Sequence, residues 1–265
     1  MKRIFASVLC LGLAVSVLAQ DYVKQRLEAS SRHHEWVAVK NGERSVHCFV
    51  VYPEVKDKAT AVLVIHENKG LTDWVRGVAD QLAEAGYIAI APDLLSGAGP
   101  KGGKTSDFAS ADSATQALYA LKPEQVTSDL NAVAGYVIKL PACNGKLAVA
   151  GFCWGGSQSF NFAAQRADLK AAFVFYGRGP EAKESVAGMA CPVYGFYGGN
   201  DARVNATIPN SAAAMQEAGK AFEPVTYEGA GHGFMRSGED PQGTETNRKA
   251  RTEAWERWRS LLKKL

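Results

Sequence analysis

Net charge is scarce in this sequence. Its 265 residues hold 30 Lys and Arg against 27 Asp and Glu, a formal charge of +3. So small a balance excludes the basic excess that nucleic-acid binding draws on, and a strong field for steering a charged partner. Cysteine is sparse too, with 5 in the chain. Their wide spacing fits neither a zinc site nor C-x-x-C redox chemistry. Internal repeats, domain linkers and low-complexity tracts are absent. With 46% hydrophobic and 22% charged residues, the composition is that of a globular chain with a full core. Its length suits one large α/β domain.

The N-terminus stands apart. Lys2-Arg3 is a short positive region, Ile4 to Leu18 is mostly apolar, and Val17-Leu18-Ala19 precedes Gln20. The apolar run is shorter than the ~20 residues a membrane span needs. Its flanks are those of a secretory signal peptide cleaved after Ala19. The expected organisation is a signal peptide over residues 1–19 and a single domain over residues 20–265. The mature protein is then periplasmic or secreted, with no membrane attachment; an uncleaved anchor is the alternative. Loss of Lys2 and Arg3 leaves 28 basic against 27 acidic residues, or +1. Cys10 leaves with the signal, while Cys48, Cys143, Cys153 and Cys191 remain. An oxidising compartment permits a disulfide, and pairing among Cys48, Cys143 and Cys191 stays open.

The most informative stretch is Gly151-Phe152-Cys153-Trp154-Gly155-Gly156. It follows the apolar run Lys146 to Ala150 and precedes a helical stretch, Ser157 to Arg166. Strand, glycine turn with a nucleophile at its tip, then helix is the nucleophile-elbow pattern G-x-S-x-G, with cysteine in the serine's place. The glycines let strand and helix approach each other. The helix start aims free N–H groups and a positive dipole end at the sulfur, which favours thiolate. The competing reading is a buried structural cysteine, since free cysteine is among the most buried residue types. A serine-type esterase is disfavoured: no Gly-x-Ser-x-Gly occurs, and Ser157 lies one turn into the helix.

Residues 20 to 34 read as a polar, mobile lead-in, with His33-His34 a solvated pair. Trp36 to Lys40 and Ser45 to Tyr52 alternate around Asn41-Gly42, a strong hairpin signal. Thr60 to His66 and Tyr87 to Ala91 are continuous apolar runs, as in parallel strands covered on both faces. Further strands are expected at Leu169 to Tyr176, Pro192 to Tyr197 and Phe222 to Tyr227. Helices are expected at Thr72 to Ala85, Ser110 to Leu121, Pro123 to Lys139, Pro209 to Ala218 and Glu245 to Lys264. In the last, Trp255, Trp258 and Leu262 recur at spacings that pack on a sheet. Residues 96 to 107, rich in Gly, Lys and Ser, read as a flexible rim. The fold class is α/β: an α/β-hydrolase fold, with a mostly parallel sheet, helices on both faces and an antiparallel N-terminal edge hairpin.

In such sheets, site groups sit beyond the carboxyl ends of the strands. Cys153, Asp201 and His232 do so in the order nucleophile, acid, base. Alone, Asp201 is a turn residue and His232 a loop residue; together they fit the roles of a triad. His232 takes the thiol proton, and Asp201 orients and stabilises the imidazole. The loop His66-Glu67-Asn68-Lys69-Gly70 stands where an oxyanion hole belongs. Backbone N–H groups of Trp154 and Asn68 are the candidate donors.

The set Gly-Phe-Cys-Trp-Gly-Gly, His-Glu-Asn-x-Gly-Leu, Ala91-Pro92-Asp93-Leu94, Gly-x-x-Asp201 and Gly-His-Gly-Phe resembles the dienelactone hydrolases, or carboxymethylenebutenolidases. The resemblance runs from about residue 45 to 260. It implies one α/β-hydrolase domain, a Cys-Asp-His triad acting through a thioester, and no metal or organic cofactor. It also implies that Glu67 contacts the resting thiol and is released when substrate binds. Arg236 matches one of two arginines that hold the substrate's carboxylate. The other has no counterpart at Leu95-Ser96-Gly97, and export is atypical for the family. Both departures put dienelactone itself in doubt, and Lys69 or Lys101 is a candidate source of the lost charge.

The function expected is an exported thiol-dependent hydrolase of esters or lactones, a monomer acting on a small molecule. The alternative is a non-catalytic secreted binding protein on the same scaffold, although no triad member is missing.

Overall fold

The computed structural model describes residues 22–265, so the expected signal segment lies outside the described residues. Eight strands form one sheet in the order β1-β2-β4-β3-β5-β6-β7-β8. They are β1 (His34–Asn41), β2 (Arg44–Val51), β3 (Ala59–Ile65), β4 (Ile88–Pro92), β5 (Cys143–Phe152), β6 (Ala171–Phe175), β7 (Val193–Gly198) and β8 (Phe222–Tyr227). β1 pairs antiparallel with β2, and β2 antiparallel with β4. From β4 through β8 every pairing is parallel. The β3, β4 and β6 strands are buried at every position, which is why they read as unbroken apolar runs. β1 alternates because it is an edge. The hairpin turn is Gly42-Glu43, since Asn41 still pairs with Arg44. Gly42 takes φ +59° there, a conformation glycine adopts without cost.

Helices cover both faces. Residues 22–28 form α1, followed by α2 (Asp73–Glu84), α3 (Ala111–Tyr119), α4 (Pro123–Val137), α5 (Trp154–Gln165), α6 (Lys183–Val186), α7 (Ala202–Asn205), α8 (Ile208–Glu217), α9 (Phe234–Ser237) and α10 (Glu245–Leu262). Residues of α1, α2 and α10 pack on one face around Val62, Phe152 and Phe175. Those of α4, α5 and α8 pack on the other around Leu63, Ile65 and Val149. In α10, Trp258 and Leu262 are buried and Trp255 packs beside them, its ring at 88° to that of Trp258 in an edge-on contact.

Two expectations are corrected. Residues 20 to 34 are no loose lead-in where described: α1 buries Val23 and Leu27 against the α2 face. His34 is not solvated, for its Nε2 lies 2.8 Å from Asp80 Oδ1, although His33 is exposed. Asp80 is buried on α2 and also accepts from Ser30 Oγ, Arg32 Nε and Arg32 Nη2. A buried carboxylate demands such partners, and they come from the segment before β1. The glycine-rich stretch 96–107 is tied down as well. Asp93, buried, accepts from the Thr105 N–H and from Thr105 Oγ1, at 3.0 and 2.7 Å.

Candidate active site

The site is built at the carboxyl ends of β3, β5, β6 and β7 and in the loop after β8. Cys153 sits between β5 and α5 at φ +55°, ψ −115°. A non-glycine residue there is strained, and such strain gathers at functional sites. The glycines around it have a steric cause. A Cβ on Gly151 would lie 1.9 Å from the Gly155 carbonyl oxygen. One on Gly155 would lie 2.4 Å from the Ile65 and His66 oxygens, and one on Gly156 2.5 Å from the Phe175 oxygen. The turn is thus wedged between the ends of β3 and β6. The Cys153 N–H donates to Phe175 at 3.0 Å, fixing the turn to β6.

Cys153, His232 and Asp201 are joined in a chain of hydrogen bonds. His232 Nε2 is 3.1 Å from the sulfur, and His232 Nδ1 is 2.5 Å from Asp201 Oδ2. The bond to the sulfur, helped by Asp201 and opposed by burial, pushes the His232 pKa up to about 9. At neutral pH the imidazole keeps its proton and can give it to a leaving group. Asp201 is buried, and its Oδ1 caps α7 through the Val204 N–H. Asn247 Oδ1 accepts from the Gly231 N–H at 3.0 Å and so holds the histidine loop.

Glu67, buried at the end of β3, is bound elsewhere. Its Oε2 accepts from Arg236 Nε at 2.9 Å, and its Oε1 lies 3.5 Å from the Tyr176 hydroxyl. The sulfur is on His232, so the resting contact between Glu67 and the thiol is not the arrangement seen. Arg236 lies on the one-turn helix α9 rather than in the histidine loop itself, and is half exposed. Glu67 strengthens its hold on its proton. Among the described residues, neither the Trp154 nor the Asn68 N–H donates to a backbone carbonyl. As the first residue of α5, Trp154 has no intrahelical acceptor. Ser157 Oγ accepts from the Arg178 N–H at 2.8 Å, a structural bond. Cys48, Cys143 and Cys191 are buried, free thiols. Among the described residues no cluster of three His, Cys, Asp or Glu could hold a metal ion, and no helix is long and apolar enough to cross a membrane.

Two further residues belong to the site's frame. Tyr176, at φ +41°, meets the His232 ring in a T-shaped contact, centroids 5.1 Å apart. Burial, then the Glu67 charge, raise its pKa well above the ordinary phenol value, so it stays a hydroxyl donor. The signal in the sequence was a polar-tipped residue ending the apolar run of β6. His66 is buried and neutral, because burial lowers its pKa. Its Nδ1–H donates to the Glu67 carbonyl at 2.8 Å, and its Nε2 accepts from the Leu94 N–H at 3.2 Å. Stacked on Trp154, it ties the candidate oxyanion loop to the end of β4.

The sheet order, the strained elbow and the strand-end site define an α/β-hydrolase. A family model described as the dienelactone hydrolase family matches residues 46–265. A provisionally assigned carboxymethylenebutenolidase of Salmonella typhimurium is 32% identical over 194 residues, 69% of this chain and 70% of that one. Another, from Saccharolobus solfataricus, is 27% identical over 253 residues, covering 83% of this chain and 94% of the relative. A provisionally assigned dienelactone hydrolase of Klebsiella pneumoniae superposes with a TM-score of 0.77 at 23% identity, over 89% of this chain and all of that one. The chain belongs to the dienelactone hydrolase family, hydrolases of lactone and ester bonds.

Proposed function

We propose that Cys153 is the nucleophile of a thiol-dependent ester or lactone hydrolase, with His232 as acid and base and Asp201 as its orienter. The observation that carries this reading is the hydrogen-bonded chain from sulfur through imidazole to carboxylate. The Cys153 sulfur attacks the carbonyl carbon as thiolate, and the oxyanion is received by the N–H groups of Trp154 and Asn68. Collapse breaks the ester C–O bond, and the departing oxygen takes the proton from His232 Nε2. A thioester on Cys153 remains. Water then attacks it while His232 Nε2 takes the water's proton, and the second collapse releases the acid and the thiolate. The thiolate and imidazolium are thereby restored.

Glu67 gates the thiol in this reading. It is held by Arg236 and Tyr176 while the sulfur engages His232. Residues 1–19 act as an export signal, processed after Ala19, which rests on the Lys2-Arg3 charge and the short apolar core.

Mass spectrometry of protein quenched in acid during turnover of a slow ester tests the chemistry. An acyl adduct on the Cys153 peptide, removed by hydroxylamine, is expected. An adduct on a serine, or turnover that survives in Cys153→Ala, overturns the assignment. N-terminal sequencing of exported protein should begin at Gln20, and an intact Met1 on membrane-bound protein refutes processing.

A further inference from the structure

One carboxylate ties the loop of His232 to three helices. Glu239 follows α9, and its N–H donates to the Arg236 carbonyl at 3.1 Å. Its side chain is 6% exposed. It accepts from Arg26 on α1, and from Trp74 Nε1 at 2.9 Å and Gln81 Nε2 at 3.3 Å on α2. It also pairs with Arg251 Nη2 on α10 at 3.4 Å. Little more than the one-turn helix α9 separates Glu239 from His232. The loop is therefore clamped at both ends. Asn247 Oδ1 holds the Gly231 N–H before the histidine, and Glu239 holds the chain after Arg236.

The Arg26 contact is a poor device for stability alone. Its Nε and Nη2 are buried with no partner among the described residues. An apolar side chain would dock α1 without stranding those donors, and such a replacement for a buried ion pair often leaves a fold as stable or more so. What the pair supplies, and the packing of Val23 and Leu27 does not, is a fixed registration of α1 on the carboxylate behind the histidine loop. Gly77 on α2 leaves room for it. A Cβ there would stand 2.6 Å from Arg26 Nη2 and 2.8 Å from Val23 Cγ1, both atoms of α1. Arg26 precedes the family-matched residues 46–265. So do Tyr22 and Val23, by which α1 lines a cavity of about 550 Å³ beside Glu67.

Resting on the triad reading, we propose that Glu239 is a positioning residue for His232, and that α1 is a strut that holds Glu239 in place through Arg26. Glu239 bonds to α1, α2 and α10 and to no member of the triad. It fixes the end of α9, and α9 keeps the imidazole on the sulfur and Arg236 on Glu67. Undocking α1 takes one of its two cations from Glu239 and slackens that loop. The N-terminal segment thus sets the geometry of a triad it does not touch.

The test is Arg26→Met in the otherwise unchanged protein, with Arg26→Lys as its conservative partner. Gly77→Val is a second route, since it pushes α1 off α2 with Arg26 and Glu239 both present. Valine is a better helix former than glycine, so α2 itself is not weakened. Each variant is read well below its own thermal melting. Arg26→Met and Gly77→Val should lower kcat for p-nitrophenyl acetate about tenfold or more, the scale of a displaced catalytic group, with KM little moved. Amide exchange across residues 231–239 should quicken. The midpoint of the His232 ring titration, followed by NMR, should fall from about 9 toward the ordinary 6.5 as the bond to sulfur loosens. Loss of the Arg26 cation by itself acts to raise a histidine pKa, so a fall reports geometry. Arg26→Lys should restore most of each change. An unmoved kcat and His232 midpoint in Arg26→Met and Gly77→Val, whatever their melting temperatures, overturn the strut. The titration and exchange need no turnover, which separates the two readings. A shifted midpoint in a protein that hydrolyses no ester refutes the hydrolytic role of Cys153 and not the strut. Ester hydrolysis with kcat and midpoint unmoved refutes the strut alone.

Discussion

Arg236 Nε donates to Glu67 Oε2 at 2.9 Å, so the guanidinium expected to receive a substrate anion already holds a buried carboxylate. That changes what its removal should do. Arg236→Ala strands Glu67, 9% exposed at its side chain, beside the proposed thiolate without its cation. A charge-assisted hydrogen bond contributes roughly 1.5–3 kcal/mol, less here because the arginine is half exposed. The kcat/KM for a neutral ester and for its carboxylate-bearing match should therefore both fall about tenfold, the factor of ~1.4 kcal/mol. A fall confined to the anionic ester would show instead that Arg236 greets the substrate's charge.

Glu67→Gln tests the gate from the other side. The rate of Cys153 alkylation by iodoacetamide, followed against pH in the free protein, should change its profile when the carboxylate is neutralised. An unchanged profile would reduce Glu67 to a loop residue that anchors Arg236.

His232 offers a direct pH readout. Its pKa is raised from the ordinary 6.5 to about 9. A raised histidine pKa stabilises the folded state fully below about pH 6.5, and that contribution is lost as pH rises through about 9. An NMR titration of the His232 ring should have its midpoint near pH 9. Cys153→Ala removes the largest cause and should lower the midpoint. An unchanged midpoint would show that the sulfur does not hold the proton in place.

The proposed triad should behave as a unit. Cys153→Ala and His232→Ala should each cost several orders of magnitude in turnover, and the double variant little more. Multiplied losses in the double variant would mean that the two side chains act separately.

What the sequence made legible was local or periodic. Cys153 announced itself because an elbow needs glycine on both sides of it, and Asp201 and His232 because glycine-rich loops mark strand ends. The strands read clearly because burial on both faces leaves no polar position. What was hidden depends on distant groups meeting. Ser30, Arg32 and His34 look solvated until Asp80 is found beneath them. The short helices α6, α7 and α9 are each one turn and carry no periodicity. Tyr176 is one more residue of an apolar run until its ring meets His232. Lys101 and Lys104 are alike in sequence, and only the fold of their loop brings Lys104 to Trp36.

The Asp80 cluster carries the last prediction. Burial acts to raise the Asp80 pKa, but hydrogen bonds from Arg32, Ser30 and His34 overcome it and hold the carboxylate at about 2, against an ordinary 3.8. A depressed pKa stabilises the fold above about pH 4, and the contribution is lost as pH falls toward 2. A shift of that size corresponds to roughly 2–3 kcal/mol. Asp80→Asn keeps the shape but leaves Arg32 without its anion. At pH 7 it should lose roughly that stability in urea denaturation, and the gap to the parent protein should close on acidification below about pH 3. Because Tyr22 and Val23 line the cavity beside Glu67, the same variant should speed amide exchange across residues 22–34 and soften that wall. Equal stability of variant and parent at pH 7 would mean that α1 is held by Val23, Leu27 and the Arg26–Glu239 pair, and that Asp80 contributes nothing net.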